Sequence, residues 1–338
     1  MAVTIKDVAR EAGVAACTIS FAMNGSAHVA DATKKRIFEA IEKLNYRPNQ
    51  SARGLVKKKT NNIGLAISEV AEGLENSLLL EVIKGMGKAA SEKNYDLLIS
   101  FQKKKDDESH ILDVYRKQSA DGLILMGTKV GERPYKELLK HRFPFVLLGR
   151  PYKPGACSSV NADNSKAAYD GARYLIDKGH RRIGFITPCS LDYDAAQDRL
   201  EGYRQAMSDF GLDVQEDWIG IGSFDPSSGE KEAEAFLLRE DRCTAILAGR
   251  DTIAANVIKR SQQLGFKVPS DVMVLSFDDS TLTQTATPSI SALRMPMMQM
   301  GFESASLLIR MIEGEMSFEE ANTILLPCEI IPRTSTAD

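Results

Sequence analysis

The chain has 338 residues, 43% hydrophobic and 26% charged, with a formal net charge of −3; this balance suits a soluble protein with more than one core. No apolar run reaches membrane-spanning length, and a polar helix stands where a signal peptide would place its apolar segment, so a cytoplasmic, membrane-free protein is expected. Five scattered cysteines without CxxC pairs and four well-separated histidines exclude a disulfide framework and a recognisable metal site, and no cofactor is implied.

From the N-terminus, Ile5, Val8 and Ala9 recur at helical spacing until Gly13 breaks the helix. A second short helix is expected from Ala15 to about Met23 with Ile19 and Ala22 inward. Asp31 is expected to cap a third helix that carries Ile37, Ile41 and Leu44 on one face. Two short helices joined by a tight glycine-containing turn and backed by a third make a helix-turn-helix, whose second helix enters the major groove. Charge agrees: residues 1–60 hold 11 Lys+Arg against 5 Asp+Glu, whereas the remainder is net acidic. A basic head on an acidic body is an electrostatic footprint for phosphate; the bland alternative is a solvated helical surface around Lys34, Lys35 and Arg36.

Beyond residue 60, short apolar runs alternate with amphipathic segments. Strands are expected at 63–68, 96–101, 122–126, 145–149, 183–187, 245–249 and 273–277, with a further extended run at 158–162. Helices are expected at 78–93, 108–118, 165–178, 195–210, 229–238, 252–264 and 296–313. That alternation predicts an α/β body with parallel sheets covered on both faces. Its length exceeds one ordinary core, so two lobes are expected, with a ligand cleft beyond the C-terminal strand ends.

Polar residues stand at those strand ends. Asp163 follows the 158–162 run, Arg250 and Asp251 follow 245–249, Asp278 and Asp279 follow 273–277, and Arg199 lies one turn into the helix after 183–187. Carboxylates and arginines so placed suit bidentate hydrogen bonding to a hydroxyl-rich small molecule. Each has a structural alternative: Asp163 and Asp251 as helix caps, Asp279 as a turn cap, Arg250 as an internal partner of Asp278 or Asp251.

Several motifs together resemble the LacI/GalR family of bacterial transcription repressors over the whole length. They are Thr4-Ile5-Lys6-Asp7-Val8-Ala9, Ala12-Gly13-Val14, Thr18-Ile19-Ser20, Asn24-Gly25, Leu44-Asn45-Tyr46-Arg47-Pro48-Asn49, Asp163-Asn164, Gly179-His180, Arg199 with Gly202-Tyr203, Val268-Pro269 and Phe277-Asp278-Asp279. The resemblance implies a helix-turn-helix head over residues 1–48, a hinge helix and linker over 49–60, and a periplasmic-binding-protein-like (type I) body over 61–338. The body would bind effector and form a homodimer, its lobes discontinuous at about 61–160 with 292–320 and 161–291 with 321–338. Double-stranded operator DNA and a small effector (a sugar, sugar phosphate or sugar acid) are the implied partners. Leu55 matches the family's wedge between base pairs, with Ala52 packed beside it and Asn49 a further DNA contact at the start of the hinge, and such an insertion kinks a duplex. Phe224 matches an aromatic that stacks on ligand, and Ser68 ends the first strand of the body.

Some positions depart from the family. Ala15 replaces the serine that usually caps the second helix, and Phe21 replaces an arginine that reads guanine. Base reading then falls to Phe21 against a thymine methyl, with Ala16 and Cys17 as small apolar contacts; Thr4, Thr18, Ser20 and Asn24 suit phosphates. Arg250 replaces a small polar residue and points to an anionic group on the effector, which Glu69 on the opposite lobe would oppose. The C-terminal segment lacks a leucine-heptad extension, favouring a dimer over a tetramer. An enzyme is the competing class, since Gly85-Met86-Gly87-Lys88 superficially matches a phosphate loop. It lies inside a predicted helix rather than after a strand, and no nucleophile–base set stands out. A secreted sugar carrier is opposed by the basic head.

Overall fold

The computed structural model of the chain describes residues 3–23, 29–46, 59–67, 77–101, 109–127, 133–151 and 153–337. The chain divides into two compact units, Met1–Thr60 and Asn61–Asp338.

In the first unit α1 (Ile5–Ala12), α2 (Ala16–Met23) and α3 (Asp31–Lys43) surround fully buried Val8, Ile19 and Ile37, with small Ala9, Ala12, Ala22 and Ala40 between them. Gly13 ends α1 at φ +63°, a left-handed turn that a residue with a Cβ enters at a cost, and Val14 N–H closes back on Ala9 O at 3.0 Å. Ala15 offers α2 only its carbonyl, which accepts from Thr18 N–H at 2.9 Å. The third helix corrects one expectation. Ala30 occupies its N-cap, and Asp31 is its first helical residue, where its carboxylate meets the positive helix end and pairs with Lys34 at 3.4 Å.

The second unit holds two six-stranded sheets. One consists of β1 (Asn62–Ile67), β2 (Asp96–Phe101), β3 (Gly122–Met126), β4 (Phe145–Leu148), β5 (Ser159–Ala162) and β11 (Thr323–Leu326) in the order β11-β5-β4-β3-β1-β2. The other runs β12-β10-β9-β8-β6-β7, from β6 (Ile183–Ile186), β7 (Ile219–Gly220), β8 (Ala245–Ala248), β9 (Met273–Phe277), β10 (Ser291–Arg294) and β12 (Glu329–Ile331). All pairs are parallel except β10 with β12. The central strands are buried at nearly every position. Helices on both faces impose that pattern, and it explains the continuous apolar runs.

The chain crosses between the sheets three times, at Asp163, at Met295–Pro296 and at Pro327–Cys328. These points lie a few residues later than the expected 160, 291 and 320. Pairing is the reason: β5 adds to β4 and β11 to β5 in the first sheet, and β10 adds to β9 in the second.

Two close helix contacts fix the layers. In the first lobe α4 (Ser77–Glu92) packs on α12 (Met297–Ile312) through glycines: a Cβ at Gly85 would lie 1.9 Å from Met298 O, and one at Gly301 2.1 Å from Val82 O. Gly85 therefore serves helix packing, not a phosphate loop. In the second lobe α7 (Asn164–Asp177) meets α8 (Asp194–Asp209) at Gly202, where a Cβ would lie 1.9 Å from Ser165 O.

Candidate functional site

On the head, burying Ile19 and Ala22 turns the opposite side of α2 outward. Cys17, Ser20 and Phe21 are exposed, Phe21 by 53%. Thr18 is half-buried. Ala16, expected at a base edge, is half-buried against the head core. Thr4, expected at a phosphate, stands at the N-cap of α1, where its hydroxyl donates to Asp7 Oδ2 at 2.7 Å and its N–H to the same oxygen at 3.0 Å. Asn24, Asn49, Ala52, Leu55 and Ser68 lie outside the described residues, and the hinge segment with them.

The body's site follows from topology. In a doubly wound sheet, the C-terminal ends of strands that send their connections to opposite faces leave a crevice. In one sheet that point lies between β1 and β3, in the other between β6 and β8. Both open onto one cavity of about 240 Å³. Ile67 and Met126 reach it from β1 and β3, and Pro188, Cys189 and Arg250 from just beyond β6 and β8.

The two walls differ. The first lobe contributes Ile67, Leu79, Met126, Leu148, Met297 and Met300, with Asn161 the polar side chain among them. The second contributes Tyr193, Asp194, Arg199, Phe224, Arg250 and Asp278. Four of the expected effector contacts (Arg199, Phe224, Arg250 and Asp278) thus line one cavity. Asp163 does not: it is the N-cap of α7 and accepts from Lys166 N–H at 3.0 Å. Among the described residues no group of three His, Cys, Asp or Glu side chains is placed to hold a metal ion.

Arg199 is buried yet has no carboxylate partner among the described residues. Its Nε donates to Asn164 Oδ1 at 2.8 Å and its Nη1 to Gly249 O at 2.7 Å, and its plane lies 4.1 Å from the Phe277 ring centroid. Nη2 is left beside Met295 Sδ at 4.0 Å. Arg250 begins α10 (Asp251–Gln263) as its N-cap residue without using its side chain for the cap. Its guanidinium instead stacks 4.7 Å above Phe224, which stands edge-on to Tyr193. Arg250 Nη1 is buried with no hydrogen-bond partner among the described residues. It pairs with neither Asp278 nor Asp251, whose carboxylate accepts from the Ser280 hydroxyl and from Thr252 N–H.

Asp278 sits at φ +70°, tied by its N–H to Leu293 O, and is 6% exposed. Among the described residues nothing hydrogen-bonds its carboxylate. Burial pushes its pKa up to about 6; Arg199 and Arg250 pull it down, and Asp251 pushes it further up. Asp279 beside it is structural. Burial pushes it up, but hydrogen bonds from Arg294, Thr283 and Arg333 prevail and hold it below the ordinary carboxylate range.

Sequence reasoning passed over the closure between lobes. Arg150 follows β4 of the first lobe, yet its N–H donates to Asp194 Oδ2 of the second, and its Nε meets Asp198 Oδ1 at 2.9 Å. Gly149 at φ +140° permits this approach, because a Cβ there would lie 2.9 Å from Asp194 Oδ2. Burial pushes both Asp194 and Asp198 upward despite these bonds. The available signal was Asp194 and Asp198 just before Arg199 on one helix. Their partner is 44 and 48 residues upstream, and no periodicity announces it.

Comparison with known proteins agrees with this geometry. Residues 4–49 match the profile described as bacterial regulatory proteins, lacI family, and residues 172–336 match a periplasmic binding protein-like domain. Catabolite control protein A of Priestia megaterium is 33% identical over 337 residues, covering 99% of this chain and 100% of that one. The chain belongs to the LacI family of bacterial regulatory proteins. The HTH-type transcriptional repressor PurR of Proteus mirabilis is 31% identical over 338 residues, covering 99% of this chain and 97% of that one. Among solved structures, the CelR–cellobiose complex is 29% identical with TM-score 0.76, covering 98% of this chain and 99% of that chain. The lac repressor dimer bound to operator and the anti-inducer ONPF superposes with TM-score 0.88 over 100% of both chains. At 22% identity it shows the fold alone. As a LacI-family member the chain is a transcriptional regulator and not an enzyme, with a DNA-binding head and an effector-binding α/β body. Among the described residues no helix is long and apolar enough to cross a membrane.

Proposed function

We propose that the chain represses a carbohydrate-related operon by binding a pseudo-palindromic operator as a homodimer, under control of a sugar-like effector, neutral or anionic, in the cleft. The observation that carries the effector role is the convergence of Arg199, Arg250, Asp278 and Phe224 where both sheets open their crevices. In this account two copies of α2 enter successive major grooves. Cys17, Ser20 and Phe21 face the bases or backbone, and Thr18 and Asn24 add phosphate contacts. The segment 49–57 is too short to be a stable helix alone, so it folds when two copies meet on DNA and Leu55 unstacks the central step. Residues 1–48, 49–60 and 61–338 then act as reader, hinge and sensor in the cytoplasm. The effector shifts the balance only by its differential affinity for two lobe arrangements.

A gel-shift titration of full-length protein on genomic promoter fragments at two salt concentrations tests this. Site-specific binding should weaken steeply with salt, and Leu55→Ala should cost specific affinity far more than nonspecific affinity. Equal losses for both would remove the wedge from the account.

A further inference from the structure

The cleft is chemically lopsided, and the asymmetry identifies what fits it. On the second lobe, the Arg250 guanidinium lies over the Phe224 ring at 4.7 Å, and its buried Nη1 lacks an acceptor among the described residues. A desolvated charged donor without an acceptor is costly, so a ligand that supplies one is strongly selected. A planar fork is best matched by a carboxylate or phosphate, which accepts two parallel bonds. Arg199 is less available, because Asn164 and Gly249 already take bonds from its Nε and Nη1 and leave only Nη2 beside Met295. The nearby carboxylates of Asp194 and Asp251 are engaged, by backbone N–H groups and by the Ser280 hydroxyl; Asp278, also in the cavity, pairs with neither arginine and leaves Arg250 Nη1 without an acceptor.

Across the cavity stand Met126, Leu148, Met297 and Met300. Among the described residues, thioethers and branched aliphatics make up most of this wall, and Asn161 is the one side chain there that could bond a sugar hydroxyl. The wall favours a flat or branched nonpolar face, with which methionine sulfur makes polarizable contacts. Hydroxyls desolvated against such a wall would go unpaired.

We propose that the effector is an amphipathic anion: a carboxylate or phosphate monoester whose acid group lies on Arg250 and whose nonpolar face lies on the methionine-and-leucine wall. This rests on the cleft being the effector site. A sugar acid or sugar phosphate satisfies it only by presenting a deoxy, acyl or aryl face, and a free neutral sugar does not.

The experiment titrates full-length protein, by thermal shift and calorimetry, with matched probes: phenyl phosphate against phenol, 4-hydroxybenzoate against 4-hydroxybenzamide, and gluconate against glucose. The same probes are then added to operator-bound protein. The expected result is saturable binding of the aromatic acids at least tenfold tighter than that of their neutral partners and of gluconate. Arg250→Gln should remove that advantage, and Arg250→Lys should retain part of it. Neither variant disturbs the start of α10, since the Arg250 side chain makes no cap. Equal binding of neutral and acidic partners, acid binding indifferent to Arg250→Gln, or no saturable binding by any aromatic acid overturns the proposal. If the neutral probes alone shift operator affinity, the ligand class falls and the effector role stands. If the acids bind through Arg250 but leave operator affinity unchanged, the class holds and the effector role falls.

Discussion

Replacing Asp278 by asparagine should stabilise the protein at neutral pH while weakening its response to effector. The buried carboxyl is pushed up to about 6 from an ordinary 3.8. A carboxylate raised on folding contributes stability that is fully present below the unfolded pKa and is lost as pH rises through the folded one. Two pKa units at about 1.4 kcal/mol each place roughly 3 kcal/mol of destabilisation on the ionised wild type above pH 6. Asparagine has nearly the same shape, tolerates the φ of +70° and keeps the N–H bond to Leu293 O. Its amide protons still want acceptors, at a cost of about 1–2 kcal/mol, so the net gain at pH 7.5 should be roughly 1–2 kcal/mol. Urea unfolding of both proteins from pH 4.5 to 8 isolates this group, because Asp194 and Asp198 titrate in both. The wild-type-minus-variant stability should fall between pH 4.5 and 6.5, turning negative, and then level off. A variant destabilised at pH 7.5, or two curves parallel throughout, would refute the argument that desolvation dominates at Asp278.

Three further outcomes follow from the same geometry. Arg150 and Asp198 join the lobes, but the arginine side chain is 44% exposed, so a double-mutant cycle of Arg150→Ala with Asp198→Asn should give a coupling of only about 0.5–1 kcal/mol. Small-angle scattering of Arg150→Ala should show a larger radius of gyration, and an unchanged radius would mean that the pair does not hold the cleft shut. Gly301→Val places a side chain where Val82 O already stands 2.1 Å from the Cβ position; separating α4 from α12 should cost at least about 3 kcal/mol in chemical denaturation, and a variant within 1 kcal/mol of wild type would show that the helices adjust freely. Finally, Cys17 is the exposed thiol, whereas burial pushes Cys157, Cys243 and Cys328 up to about 11, 12 and 11. Iodoacetamide should therefore label Cys17 first and operator should protect it; labelling as fast with operator as without would take α2 out of the groove.

Periodicity carried the fold a long way. The strands at 63–67, 122–126 and 273–277 are runs buried on both faces, and their flanking helices keep a clean apolar stripe, so pattern and outcome coincide. The edges were not legible. β7 has two residues, and β11 and β12 are half exposed, with no alternation to distinguish them from loops. Missing β11 and β12, and β10 beside them, displaced the second and third lobe crossings by a few residues. In the site, Arg199, Arg250 and Asp278 could be read because they stand at strand ends, where topology opens a crevice. Asp163 stands there too, but its side chain turns to the first N–H groups of α7, a choice between cap and ligand that sequence leaves open. The methionine wall was invisible for a different reason. Met297 and Met300 read as ordinary helix core, and only the return of α12 to the first lobe turns them toward Arg250.

The most direct test isolates genomic fragments bound by the purified full-length protein, then measures its affinity for the strongest fragment with and without a small-molecule extract of the source cells. A regulator of this design should bind a near-symmetric site with an affinity that the extract changes at least tenfold, and Arg250→Gln should abolish the change while leaving affinity in buffer intact. Tight, symmetric binding that no extract alters, or a response undiminished in Arg250→Gln, would contradict control of the DNA-reading head from this cleft.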